Sequence, residues 1–387
     1  MTERPEGGDE TYHRRMDRAG QDEEFAKLRS RCPISEIAPG AHLLVRYVDV
    51  VAVLRDGGTY RSLDDPAIPP AAVAQWTTDP AEHQRRRLPL FAAHRLAIHR
   101  RELADVCARL VAGAERAGGC DAITEVIDPI TYVAIARLLG IADSDRECVF
   151  GWVEQMGTSL GPTDTAPDLR PESAWQAGAT PLRRWLVDEV DRRGSLPVAE
   201  QPDDGLGLLL RSDPVSGRVV AHDELLGYVY LLCRSGVGPL RRLLVNLVRH
   251  VADHPALLDA VRAGELEATT VVERVLADDP PIQFLMRNPV TDVDIHGVGM
   301  AAGSRLVMSV RSANTEVPLR HLAFGRGEHF CPAASLGRLV AAELLKALAV
   351  SLCRIALRDE ADLASLTAPS VWTPAAMPIA VSGRTQP

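Results

Sequence analysis

His321-Leu-Ala-Phe-Gly-Arg-Gly-Glu-His-Phe-Cys-Pro-Ala-Ala-Ser-Leu-Gly-Arg338 is the stretch on which the fold turns. Gly325 and Gly327 let the backbone turn tightly and approach a flat ligand closely. Apolar spacing from Leu336 to Leu352 then marks a helix. The loop therefore delivers Cys331 to the start of that helix. There the helix dipole and free backbone N–H groups favour a thiolate over a thiol. A cysteine in a turn is ordinarily a small buried hydrophobe. The other six, scattered and free of CxxC spacing, are read that way, so neither a disulfide framework nor a zinc site is expected.

Long helical patterns surround this loop. Arg100 to Arg116, Glu125 to Leu139 (interrupted by Pro129) and Glu172 to Arg193 (divided by Pro181) carry apolar residues at three- and four-residue spacing. Ala221 to Asp253 is the longest, and Gly236, Gly238 and Pro239 at its centre predict a kink or an opened turn. Strand patterns are short: His42 to Tyr47, a hairpin over Thr291 to Val310, and segments near Ile355 and Ile379. Val48 to Leu54 reads as a short helix and Gly57-Gly58 as a turn. The expected class is mainly α with small β-sheets. Residues 1–30, which are polar, read as a flexible N-terminal arm, and 31–387 as a single domain.

With 387 residues, 46% hydrophobic and 25% charged, the chain buries a substantial core without staples. A net charge of −9 argues against nucleic acid as a partner. The apolar run from Leu225 to Cys233 is broken by Arg234, so no membrane span is expected. The first residues form no apolar signal segment, which leaves the cytoplasm as the expected location.

Phe324, Gly327, Cys331, Leu336 and Arg338 fall at the spacings of the haem-ligand signature of the cytochrome P450 family, which this loop resembles. The resemblance implies the P450 fold and a haem b (iron protoporphyrin IX) cofactor with Cys331 as proximal iron ligand, beside Phe324 and Gly325. It also implies cationic partners for the two propionates. Asp79, Pro80 and Glu82 form a helix start, and His83 and Arg87 lie four apart on one face of it. With Arg287 and His329 they match the family's propionate positions. The resemblance runs from about Pro33 to Val381.

Three departures bear on function. The acid and threonine that relay protons in the family fall on Gly238 and Pro239, which carry no proton to give. The family's Glu-x-x-Arg pair falls on Arg274 and Ala277. Glu273 stands one residue away, about 100° around the helix, and is not expected to substitute. The segment from Asn314 to His321 is too short for the usual meander.

The leading expectation is a haem-thiolate monooxygenase-type oxidoreductase acting on a small organic secondary-metabolite substrate. A ferredoxin would supply electrons, with Arg85, Arg86 and Arg326 as candidate contacts. Two other readings compete. A haem enzyme driven by peroxide, or doing non-oxygenating chemistry, would tolerate Gly238-Pro239 better, with Arg241 or Arg242 acting from another helix face. A non-catalytic scaffold would keep its haem anchors and bind a protein partner.

Overall fold

The structure, a computed structural model, describes residues 18–31, 33–62, 88–157, 172–197, 200–211, 215, 217, 219–317, 320–358 and 376–383. Helix α1 (Arg18–Arg31) opens it. Arg311 grips α1 by donating from Nε and Nη2 to the two carboxylate oxygens of Asp22, at 2.9 and 2.8 Å. Phe25 is buried with Leu43, Val45 and Val307. The expectation of a loose arm is thus corrected for 18–30; residues 1–17 lie outside the described residues. The helix is polar overall because only one narrow stripe of it meets the core.

Strands β1 (Ile34–Ala38) and β2 (Ala41–Leu44) pair antiparallel across a turn at Gly40, and helix α2 (Tyr47–Arg55) buries Val50, Val53 and Leu54. Strand β3 (Tyr60–Arg61) follows. Helix α3 (Ala93–Ala117) stops at Gly118, whose φ of 69° is left-handed. Strand β4 (Gly119–Asp121) and a π-helical turn, Ile123–Ile127, lead into α4 (Asp128–Leu139), with Pro129 in its first turn. The interruption expected at Pro129 is therefore this boundary: proline costs nothing where its N–H has no partner. Helices α5 (Arg146–Gly157) and α6 (Glu172–Gly194) pack on each other, and α6 runs through Pro181 undivided.

After α7 (Gly205–Leu210), helix α8 (His222–Asp253) crosses the molecule and packs on α4, α5 and α6. It is continuous, so the opened turn expected at Gly236–Pro239 is absent. A proline removes one helix bond, and the packing on both sides of it holds the rest. Gly236 brings α8 close to α4: a Cβ there would stand 2.7 Å from Ile135 Cδ1, which would have to swing aside.

Helices α9 (Ala256–Arg262) and α10 (Ala268–Asp278) precede β5 (Phe284–Pro289). The expected hairpin splits in two. Strands β6 (Val293–Ile295) and β7 (Val298–Met300) pair with each other around His296 (φ 56°) and Gly297, while β8 (Arg305–Ser309) joins a larger sheet. That sheet has the order β1-β2-β8-β5-β3, with β2 and β8 parallel and the other pairs antiparallel. Helix α11 (Val310–Glu316) and the cysteine loop lead to α12 (Ala334–Ser351), which packs on α3, α8, α9 and α10. Strands β9 (Leu352–Leu357) and β10 (Pro378–Gly383) form a second sheet with β4. The class is mainly α with small sheets, as expected. No helix among the described residues is long and apolar enough to cross a membrane.

Candidate functional site

The cysteine loop closes on itself through the backbone. The Cys331 N–H donates to the Phe324 carbonyl at 2.9 Å, and the Gly325 N–H donates to the Leu322 carbonyl at 2.8 Å. Gly325 (φ 70°) and Gly327 (φ 75°) make the two left-handed steps that this path needs. A short helical turn, Gly327–His329, lifts the chain to Cys331, and α12 starts three residues later. The tip is seated against the end of α2: a Cβ on Gly327 would lie 2.2 Å from the Leu54 carbonyl oxygen. Cys331 and His329 are both half-buried.

Two elements flank the loop. Leu285 of β5 reaches within 3.9 Å of where a Gly325 side chain would begin. Residues two apart share a strand face, so Arg287 lies on the loop side of β5. Its guanidinium is buried, which pushes its pKa down, and Nη1 donates to the Met286 carbonyl at 2.7 Å. No carboxylate among the described residues answers that charge. In the loop itself, Arg326 Nε is buried and unpartnered. His83, Arg87, Arg85 and Arg86 lie outside the described residues.

Helix α8 forms the other flank. Leu243 contacts the same spot as the Phe324 ring, each within 3.9 Å of a Cβ built on Gly337. Residues 225–233 and 242–248 of α8 are buried, whereas Arg234, Ser235, Gly236, Gly238 and Pro239 between them are not. The middle of α8 is thus partly exposed around the buried Val237 and Leu240, and Leu243, one turn after Pro239, is the residue that reaches the loop. Neither arginine just beyond is available there. Arg241 donates to Asp128 at 2.5 Å and to the Tyr132 hydroxyl at 3.0 Å. Arg242 is 1% exposed and donates to Asn246; burial, aided by Arg311, pushes its pKa down to about 10.

Glu273, not expected to stand in for the family pair, is nonetheless engaged with the cysteine loop. Its Oε2 accepts from His321 Nε2 at 3.0 Å and from Arg338 Nη2 at 3.1 Å, and its Oε1 accepts from Arg338 Nε at 2.5 Å. The His321 hydrogen bond, with Arg338 adding and burial opposing, pulls the carboxyl pKa down to about 2. The Arg338 guanidinium also lies 4.5 Å from the centroid of the Phe324 ring. Arg274, at the family position, points instead to Asp278 at 2.7 Å and is 71% exposed. Asn314 ties the loop further, accepting from the Leu322 N–H at 2.7 Å and donating to the Ala277 carbonyl at 3.1 Å.

No family model matches the chain. The cytochrome P450 monooxygenase PikC of Streptomyces venezuelae is 27% identical over 84% of this chain and 82% of its own length. The erythromycin C-12 hydroxylase of Saccharopolyspora erythraea is 26% identical over 81% and 82%, and cytochrome P450 109 of Bacillus spizizenii is 24% identical over 79% of each. Among solved structures, a mutant of P450 EryK in complex with erythromycin B superposes with a TM-score of 0.81 over 96% of this chain and 99% of that one, at 24% identity. The chain has the cytochrome P450 fold and resembles curated P450 enzymes over about four-fifths of its length.

P450 enzymes carry haem, and the residues of this chain fit one. The buried Arg287 and the orphaned Arg326 Nε offer donors to an anion in dry surroundings. Gly325, with no atom nearer than 3.8 Å to where a side chain would begin, leaves room for a flat ligand.

Proposed function

We propose that this chain is a haem-thiolate monooxygenase that works in the cytoplasm on a small organic substrate of secondary metabolism. The observation that carries the reading is the cysteine loop, which sets Cys331 just before α12, with Leu243 of α8 against the Phe324 side of the loop. In this reading Cys331 is the metal ligand of haem b, against Phe324 and Gly325. Arg287, His329, His83 and Arg87 hold the propionates, and electrons come from a ferredoxin. Haem, when bound, supplies the redox centre at which dioxygen is activated for oxygen insertion. Relatives named for erythromycin, cyclomarin C and steroid oxidation support a bulky, largely apolar substrate.

The chain's own residues set the rest. Gly238 and Pro239 donate no protons. Pro239 has no N–H to offer the Ser235 carbonyl one turn back, which leaves that acceptor, on an exposed residue of α8, able to take a water. A substrate hydroxyl or that water then delivers the proton. A peroxide-handling arginine is not supplied by Arg241 or Arg242, both engaged elsewhere.

The reading is tested by the carbon monoxide difference spectrum of the dithionite-reduced protein, followed by turnover with ferredoxin and NADPH against turnover with peroxide. A strongly red-shifted Soret band and ferredoxin-dependent product are expected. Absence of haem sinks the proposal, and turnover with peroxide alone replaces its electron source.

Arg287→Leu separates a haem anchor from a structural arginine. Removing a buried charge without a carboxylate partner leaves the haem-free protein as stable as before, or slightly more so. Loss of one charged hydrogen bond speeds haem transfer to a scavenger globin by about tenfold to a hundredfold. A fallen melting temperature with unchanged haem transfer assigns Arg287 to the fold alone.

A further inference from the structure

We infer that Glu273 is the positioning residue of the cysteine loop, clamping both of its ends through His321 and Arg338 in place of the family's Glu-x-x-Arg pair. The inference rests on the P450 reading of the site. The geometry comes first. His321 stands at the entrance of the loop and Arg338 follows it on α12, and one carboxylate takes donors from both. The loop is therefore closed by a side chain on α10 as well as by its own backbone. Such a clamp removes freedom from the segment that carries Cys331.

The roles of the donors are settled by their surroundings. The Ala323 N–H donates to His321 Nδ1 at 3.3 Å, which assigns the ring proton to Nε2, the nitrogen facing Glu273. His321 thus uses both ring nitrogens. Arg338 presents its fork to both carboxylate oxygens while its flat face covers Phe324, whose carbonyl accepts the Cys331 N–H. A chain of contacts therefore runs from Glu273 through Arg338 and Phe324 to the backbone of Cys331.

This also accounts for what the family position holds. Arg274 pairs with Asp278 rather than with the loop, and the carboxylate that meets the loop is one residue earlier on α10. With the connection from Asn314 to His321 shortened, the partners of the clamp are loop residues rather than meander residues. Asn314 then bridges the remaining gap to the end of α10.

The test uses the haem-loaded full chain and three variants: Glu273→Ala, Glu273→Gln and Arg274→Ala. Haem content, the position of the reduced carbon monoxide band and hydrogen exchange over residues 322–331 are read for each, with circular dichroism as the check on folding. Glu273→Ala is expected to retain haem about tenfold less well. It should also move its carbon monoxide band to the neutral-ligand position and raise exchange in the loop. Arg274→Ala should match the wild type in all three. Glu273→Gln keeps the volume and one acceptor for His321 but loses the charge that Arg338 needs, and should fall between them. If Glu273→Ala fails to fold, Glu273→Gln and His321→Ala decide the matter by the same readouts. A full thiolate band with wild-type loop exchange in the folded Glu273 variants overturns the inference. A wild type that itself shows no thiolate band overturns the P450 reading instead.

Discussion

Replacing Cys331 by serine abolishes the red-shifted carbon monoxide band of the reduced protein and lowers ferredoxin-driven oxidation by about a thousandfold, about 4 kcal/mol of barrier. The hard alkoxide of serine has a far higher pKa than a thiol and cannot supply the electron density of a thiolate. Three of the other cysteines are poor substitutes. Burial pushes the Cys107 thiol up to about 12 and Cys120 up to about 11, and fully buried Cys233 is driven up as well. These stay protonated and lie in the helical core or the second sheet, away from the loop. Folding is spared, because Cys331 is only half-buried and its backbone bond to Phe324 is made by any residue. The reduced carbon monoxide spectrum of Cys331→Ser, beside a melting curve, checks both halves. A persistent red-shifted band would mean that another sulfur, or none, sets the spectrum.

The cysteine loop was legible because everything that defines it is local: two glycines, a cysteine and the helix that follows. The long helices were legible for the same reason, since burial of one face imposes its period on neighbouring residues. What stayed hidden depends on partners far away in the chain. Helix α1 looks like a polar tail until Arg311 and the pocket around Phe25 are in place. Pro239 reads as a break, yet α8 has enough packing on either side to carry it. Glu273 was set aside on a correct rotation argument applied to the wrong partners. A carboxylate displaced by one residue fails to meet the old partners, but His321 and Arg338 stand where it now points. The cue lay in the sequence as a histidine and an arginine bracketing the loop, each able to donate to one acid. Nothing in a linear reading says which acid.

Gly327→Ala is expected to be the most damaging single methyl group in the loop, costing about 3–4 kcal/mol and most of the bound haem. Two costs combine. The φ of 75° is one that residues with a side chain avoid, at about 1–2 kcal/mol. The added Cβ would also stand 2.2 Å from the Leu54 carbonyl oxygen and 3.1 Å from the Arg55 Cα. These are backbone atoms at the end of α2, so no rotamer change relieves the contact, and either the loop or the helix end must shift. Gly325→Ala is the internal control. It carries nearly the same φ, 70°, but its nearest neighbours would be 3.8 and 3.9 Å away, which is ordinary contact. It should therefore lose only the conformational part. Thermal unfolding and haem retention of the two variants, measured side by side, separate strain from collision. If they lose equally, the seat of the loop on α2 does not hold it, and the placement of Cys331 rests on Glu273 and the backbone bonds alone.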